Sequence, residues 1–172
     1  NQPIVKPKMT QQLDYEVEFA VVIGKTIRNA NPEQIMDAVF GYTILHDVSA
    51  RDVQFKDSQI TLGKNFDTFA PIGPCVVTKG EIPDLSDVKL STRVNGRVLQ
   101  NGSTSDWVFP LPVLLSSLSQ VMTLNTGDIV TTGTPAGVGF FTNPQIFLNA
   151  GDVVTLEIEG IGLLTNHVVD EE

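Results

Sequence analysis

The sequence predicts an α+β fold in which strands outweigh helices, and three observations predict it. The stretch Leu13 to Gly24, LDYEVEFAVVIG, has the composition and period of an extended chain. Asn95-Gly96 separates two strand-like runs and suits a type I′ hairpin turn, because both residues tolerate positive φ. The 14 Gly and 10 Pro, with 41% hydrophobic and 18% charged residues, describe a turn-rich globular chain and not a disordered or helical-repeat one. At 172 residues the chain is the size of a single domain, residues 1–172, able to bury roughly 70% of its unfolded surface.

The strand at Leu13 to Gly24 raises an electrostatic problem. Glu16 and Glu18 share one face with Ala20 and Val22, while Val17, Phe19, Val21 and Ile23 line the other. Both faces are largely apolar, as in a strand covered on both sides. Two buried carboxylates about 7 Å apart would destabilise such a strand by several kcal/mol unless a cation sat between them. The alternative is that both glutamates lie in water at a frayed strand start, and the segment alone leaves both readings open. A second acidic stretch, HDVSARD at His46 to Asp52, follows the strand-like run Gly41 to Leu45. Oxygen ligands from two strands suit a hard divalent cation such as Mg²⁺, whereas the Cys and His ligands typical of zinc are nearly absent.

In chain order, Asn1 to Gln12 reads as a Pro-containing loop. Asn31-Pro32-Glu33 supplies a cap, a first-turn Pro and an early acid for a short helix over about Pro32 to Phe40. Gly41 to Val48 is strand-like, and Ser49 can cap a short helix from Ala50 to about Lys56. Residues 57–70 form a polar loop holding Lys64, which on position alone could be a solvated charge; Pro71 to Thr78 returns as a strand. Leu90 to Val94 and Arg97 to Gln100 make the hairpin. Leu111 to Met122 has helical apolar spacing with Pro112 in its first turn, and Asp128 to Thr132 is a strand. The turn Gly133 to Gly139 has neither the lysine of a phosphate-binding loop nor the dinucleotide glycine spacing. It is either a plain tight loop or one that brings backbone amides and the Thr134 hydroxyl to a small anion. Asp152 to Ile158 and Leu163 to Val169 close the chain around Gly160-Ile161-Gly162.

Composition excludes several functions. A net charge of −9 gives no footprint for nucleic acid, and no apolar run approaches the ~20 residues of a membrane-spanning helix. The lone Cys75 cannot form an internal disulfide, which fits a reducing compartment. The chain opens on Asn1, which implies residues upstream. Nucleophile candidates are poor: Cys75 falls within an apolar strand, and no serine stands in a nucleophile-elbow context. His46 points away from Asp47 if the strand continues, and His167 reads as a structural or exposed histidine.

Six segments together carry a family resemblance: DYEVEFAVVIG, GYTILHDVSARD, GKNFDTFAPIGP, the VNG hairpin, TGDIVTTGTPAGVG and LNAGDVVTLEIEGIG. In this order, collinear from about Leu13 to the end, they resemble the catalytic domain of the fumarylacetoacetate hydrolase family. The resemblance implies a mixed β-sheet roll with a few short helices, usually a homodimer. It implies that Glu16, Glu18 and Asp47 bind Mg²⁺ or Mn²⁺, and that the substrate is a small 2-oxo or β-dicarbonyl acid processed through a metal-stabilised enolate. Lys64 would stabilise the developing negative charge, Gln54 would contact substrate or metal-bound water, and Thr134 with Gly133 would meet the substrate carboxylate. Arg51 would orient the metal carboxylates, since its fork suits bidentate pairing.

Two departures bear on the reaction. Hydrolytic members carry a His and a Glu in a lid segment before the first strand, and Asn1 to Gln12 contains neither. His46 stands where many members have Asn; HDVSARD with the VGFF turn looks closest to the fumarylacetoacetate hydrolase domain-containing branch associated with oxaloacetate. The expected activity is C–C hydrolysis of acylpyruvate-type substrates, in the cytoplasm or the mitochondrial matrix. The alternatives are oxaloacetate decarboxylation or keto-enol tautomerisation, and a non-catalytic binding domain.

Overall fold

The computed structural model describes residues 2–56 and 58–172; Asn1 of the lead-in and Asp57 of the polar loop lie outside the described residues. The strands in chain order are β1 (Ile4–Lys6), β2 (Leu13–Asp14), β3 (Val17–Ile23), β4 (Val39–His46), β5 (Ser49–Ala50) and β6 (Ile72–Thr78). They continue as β7 (Lys89–Val94), β8 (Arg97–Ser103), β9 (Ile129–Thr131), β10 (Val153–Ile158) and β11 (Gly162–Asp170). The α-helices are α1 (Pro32–Ile35), α2 (Arg51–Gln54) and α3 (Leu111–Val121). The fold is thus strand-rich α+β with few short helices, as the sequence predicts.

Two sheets build the body. One has the order β1-β11-β10-β7-β8 and is mixed, because β1 runs parallel to β11 while the other pairs are antiparallel. The other, β6-β4-β3-β9, is antiparallel throughout, and β2 with β5 forms a separate two-stranded ladder. The alternation read from the sequence holds: Val17, Phe19, Val21 and Ile23 enter the main core with Tyr42, Ile44, Leu156, Ile158 and the α3 residues Leu111 and Leu115. A second cluster, including Ile4, Leu13, Tyr15, Val154 and Val168, fills the end where β1 and β2 meet the closing strands. The hairpin turns where expected, with Asn95 at φ 51° and Gly96 at φ 82°.

Several expectations need correction. The lead-in is not all loop, since Ile4–Lys6 pairs with Val168 to Asp170 and Ile4 is fully buried. The helix at Pro32 keeps its cap, Asn31 accepting from the amides of Glu33 and Gln34. It ends at Ile35, however, and passes through a 3₁₀ turn into β4, because Val39 and Phe40 join the strand. Ser49 caps nothing: it lies in β5, and α2 starts from Ala50 without a side-chain cap. The segment read as a polar loop contains a 3₁₀ turn, Ile60–Lys64. Cys75 sits on β6 but faces outward and is exposed, as is His167 on β11. Among the described residues no helix is long and apolar enough to cross a membrane.

The buried β1 strand generates a stability prediction. Ile4→Ala should destabilise the fold by about 3 kcal/mol, the range for a truncated core aliphatic, against ~0.5 kcal/mol for a residue in an exposed loop. Urea denaturation of the two proteins measures the difference, and a shift within the loop range would deny β1 its place in the core.

Candidate metal and substrate site

The register of three strands assembles the site. Val17 pairs with His46 across β3 and β4, so the next step along both chains sets Glu16 opposite Asp47, whose amide donates to the Glu16 carbonyl at 3.0 Å. Alternation puts Glu18 on the same face as Glu16. Ala20 pairs with Thr131 across β3 and β9, and continuing that ladder sets Gly133 beside Glu18; the Gly133 amide donates to Glu18 Oε2 at 2.8 Å. Glu16, Glu18 and Asp47 each offer a carboxylate oxygen, all within 4.8 Å of one another. Glu16 is 7% and Glu18 4% exposed, so the reading in which both glutamates lie in water at a frayed strand start is excluded.

Two cations serve this cluster. Arg51, at the start of α2, is buried and donates from Nη2 to Glu16 Oε1 at 2.6 Å, from Nε to Asp14 Oδ2 at 2.9 Å and from Nη1 to Gln54 Oε1 at 3.0 Å. Lys64 Nζ donates to Glu16 Oε2 at 2.9 Å, to Asp47 Oδ2 at 2.5 Å and to Ser49 Oγ at 3.0 Å. The lysine reaches them because the 3₁₀ turn packs directly on α2: a Cβ on Gly63 would lie 2.6–2.8 Å from Gln54, largely backbone. Beside these carboxylates Lys64 is therefore not the solvated loop charge that its position alone allows. It lies in contact with two of them, because their charge attracts it.

The remaining predicted residues divide. Gln54 is buried and its carbonyl is taken by Arg51, so its contact is to the guanidinium. Gly133 does cradle an anion through its amide, but the anion is Glu18. Thr134 is half-buried and accepts from Gln100 Nε2 at 2.8 Å. This turn also lines a cavity of about 220 Å³ walled by Trp107, Phe109 and Leu114.

Sequence reasoning missed Asp14 and Ser49. Asp14 is fully buried and accepts from the amides of Tyr15, Gly139 and Phe140 as well as from Arg51. The only hint in the sequence is an acid two residues before Glu16 in a strand otherwise apolar. Ser49 accepts from Lys64 while its own hydroxyl donates to the Asp47 carbonyl at 3.2 Å. His46, as expected, does not join the carboxylates; its Nδ1 lies 3.5 Å from Asn166 Oδ1.

Titration follows from this burial. Glu18 is pushed up to about 7 by burial and by the facing Asp47 and Glu16 carboxylates, against the Gly133 hydrogen bond. Burial lowers His46 to about 4, so the ring is neutral at neutral pH. Burial by itself lowers the pKa of Lys64, but its bonds to Asp47 and Glu16 outweigh that and raise it. For stability the first two shifts oppose each other. The Glu18 contribution is present below its ordinary 4.5 and is lost as pH rises through about 7, whereas that of His46 is present above 6.5 and is lost as pH falls towards about 4.

The donor set fits a divalent cation. Once all four carboxylates, Asp14, Glu16, Glu18 and Asp47, are ionised, they exceed the two side-chain cations, Arg51 and Lys64, by two negative charges. The three clustered oxygens are hard donors of the kind that bind Mg²⁺ or Mn²⁺.

Known proteins resemble this chain along nearly its whole length. Oxaloacetate tautomerase fahd2, mitochondrial, from Xenopus laevis is 49% identical over 169 residues, covering 97% of this chain and 53% of that protein. Oxaloacetate tautomerase YisK from Bacillus subtilis is 47% identical over 161 residues, covering 94% of this chain and 54% of that protein. The structure of a fumarylacetoacetate hydrolase from psychrophilic Exiguobacterium antarcticum matches with a TM-score of 0.94 at 44% identity, over 99% of this chain and 62% of that one. A 5-carboxymethyl-2-hydroxymuconate delta-isomerase from Mycobacterium smegmatis matches with a TM-score of 0.91 at 42% identity, over 100% of this chain and 64% of that one. The chain spans about half the length of the curated relatives it matches. The family model described as fumarylacetoacetate (FAA) hydrolase C-terminal matches residues 1–169, and with it the chain belongs to the fumarylacetoacetate hydrolase family.

Proposed function

We propose that this chain is the catalytic domain of a divalent-metal-dependent enzyme that interconverts the keto and enol forms of a small 2-oxo acid, with oxaloacetate as substrate. The observation that carries the reading is the buried cluster of Glu16, Glu18 and Asp47, whose excess charge calls for a cation. Two relatives that cover nearly the whole chain are named oxaloacetate tautomerases, which supports this choice over acylpyruvate hydrolysis. Hydrolysis is the second reading, supported by the likeness to the Exiguobacterium hydrolase.

Glu16, Glu18 and Asp47 would hold the cation. Bound there, Mg²⁺ or Mn²⁺ supplies the Lewis acidity that lowers the energy of an enolised 2-oxo acid. Keto-enol interconversion moves one proton between C3 and the C2 oxygen, with no redox change and no second substrate. The protein therefore has to orient the acid and stabilise negative charge on that oxygen. Lys64, held protonated beside the cluster, would supply N–H donors for this by turning them from Glu16 and Asp47. Arg51 with Asp14 keeps Glu16 aimed at the cluster, and the Gly133 amide does the same for Glu18. The Thr134 hydroxyl meets the substrate carboxylate.

The domain also acts as a homodimer in this reading. Large apolar side chains stand exposed, among them Val108 at 87%, Phe141 at 75% and Phe109 at 63%, and the two sheets end in the edge strands β1, β8, β6 and β9. The reducing cytoplasm or the mitochondrial matrix fits the free Cys75, and the Xenopus relative is named mitochondrial.

Lys64 and Glu18 should separate in their effects. Lys64→Met should depress oxaloacetate tautomerisation on the order of 10²-fold, the usual loss for one preorganised donor, while Mg²⁺ binding persists or tightens as a competing cation is removed. Glu18→Gln should weaken Mg²⁺ binding at least about tenfold, since the cluster loses one ligand charge. Enol absorbance, pyruvate release and acylpyruvate cleavage followed in parallel, with calorimetric metal titration, read both variants. Full tautomerase activity in Lys64→Met would return the lysine to a structural ion pair, and activity on acylpyruvates alone would favour hydrolysis.

Metal binding should also depend on pH. Glu18 must lose its proton to coordinate, so Mg²⁺ affinity should rise with pH through about 7, with proton release on binding at lower pH. Calorimetry in two buffers of different ionisation enthalpy measures that proton. An affinity unchanged between roughly pH 5.5 and 8.5 would remove Glu18 as the titrating ligand.

A further inference from the structure

Gln100 lies on β8 directly across from Thr92 of β7, and both side chains point inward, 1% and 0% exposed. A buried primary amide has two donors and two acceptor positions to satisfy. Gln100 satisfies all four. Its Oε1 accepts from the Val17 amide at 3.1 Å and from Thr92 Oγ1 at 2.8 Å. Its Nε2 donates to Thr134 Oγ1 at 2.8 Å and to the Pro135 carbonyl at 2.9 Å.

These partners fix the amide's orientation without ambiguity. The Val17 N–H can only donate, so it must face the oxygen; the Pro135 C=O can only accept, so it must face the nitrogen. Thr134 Oγ1 is then an obligatory acceptor from Gln100, and its own hydroxyl proton is left to point elsewhere. A hydroxyl so arranged presents a proton to an incoming ligand. If Thr134 instead spent its proton on Pro135 or on a carboxylate at position 100, it would meet a ligand through lone pairs and disfavour an anion.

We infer that Gln100 is a positioning residue for substrate binding, which turns the Thr134 hydroxyl into a dedicated donor for a carboxylate while tying that turn to the backbone between Glu16 and Glu18. The inference rests on the reading above in which Thr134 meets the substrate carboxylate. It deepens that reading by stating the ligand class: an anionic acceptor, not an ammonium or amide donor. The Val17 bond gives the arrangement a second consequence, since one side chain sets the spacing between the metal carboxylates and the carboxylate-binding turn.

The test is oxalate binding to the purified chain at saturating Mg²⁺, measured by calorimetry. Gln100→Glu keeps the acceptor for Val17 and Thr92 but loses the donors, and Gln100→Met loses both with similar length. Each should weaken oxalate binding about tenfold, the usual effect of one charge-assisted hydrogen bond, and Thr134→Val should do the same while Thr134→Ser stays near wild type. Because Gln100 acts through the Thr134 hydroxyl, combining Gln100→Met with Thr134→Val should add no further loss, and Mg²⁺ affinity without oxalate should change less than about threefold in Gln100→Met. Additive losses, or an equal loss of Mg²⁺ affinity, would show a merely structural amide and overturn the inference. Oxalate binding that falls in Thr134→Val but not in either Gln100 variant would overturn it alone. A wild-type chain that binds Mg²⁺ but no oxalate would instead sink the carboxylate-binding reading, and the role of Gln100 with it.

Discussion

Desolvated negative charge governs this structure. At an effective dielectric near 20, two carboxylates about 5 Å apart repel by roughly 3 kcal/mol, and three converge here within 4.8 Å at a strand end almost closed to water. That repulsion is a large fraction of the 5–15 kcal/mol by which a domain of this size is typically stable, so the surroundings must offset it. They do so with donors from every adjoining element: the β9 turn gives the Gly133 amide, α2 gives Arg51, and the 3₁₀ turn gives Lys64. The residual charge is what suits the arrangement to a cation, where a balanced one would be an inert ion-pair network.

The strand that organises the chain was legible because its evidence is local: β-branched and aromatic residues in two-residue alternation place Val17, Phe19, Val21 and Ile23 in the core, whichever partner strand follows. The acidic cluster was legible because charge in an apolar strand is anomalous in itself. The failures share a different cause. Ile4–Lys6 is a three-residue strand between Pro3 and Pro7, and its partner is at the opposite end of the chain, so no local pattern announces it. Ser49 reads as a cap beside a helix start, yet pairing with Asp14 across β2 and β5 holds it extended. Asp14 and Gln100 escaped for the same reason, since a buried polar group is recognised only when its partners are known, and these lie on other elements.

Close approach of backbones is the second condition for the site. Asp14 can collect the amides of Gly139 and Phe140 only because Gly139 lacks a Cβ, which would fall 1.7 Å from the Ile146 carbonyl and 2.8 Å from Asp14 Oδ1. Gly63 plays the matching part under α2. Gly63 thereby fixes Lys64, which contacts the clustered carboxylates, and Gly139 fixes Asp14, which reaches them through Arg51. In the family resemblance these glycines are merely letters of GKNF and GVGF; their spatial role follows from which backbone each one faces.

The two cations that balance the cluster differ in a way that assigns them different work. Arg51 has a side chain 4% exposed, and its planar fork is divided among Asp14, Glu16 and Gln54; moving it would break bonds to three buried groups at once. It is therefore a fixed part of the scaffold. Lys64 has a side chain 23% exposed, sits on a flexible stem and makes its three contacts from a single nitrogen. An ammonium of that kind can shift its bonds among neighbouring oxygens at small loss. Were a cation to take over Glu16 and Asp47, Lys64 would be the group free to turn its donors towards a ligand, while Arg51 would hold the geometry. The stable position of the carboxylates and the adaptable position of the lysine thus come from the same requirement, that charge buried at this strand end never be left unpaired.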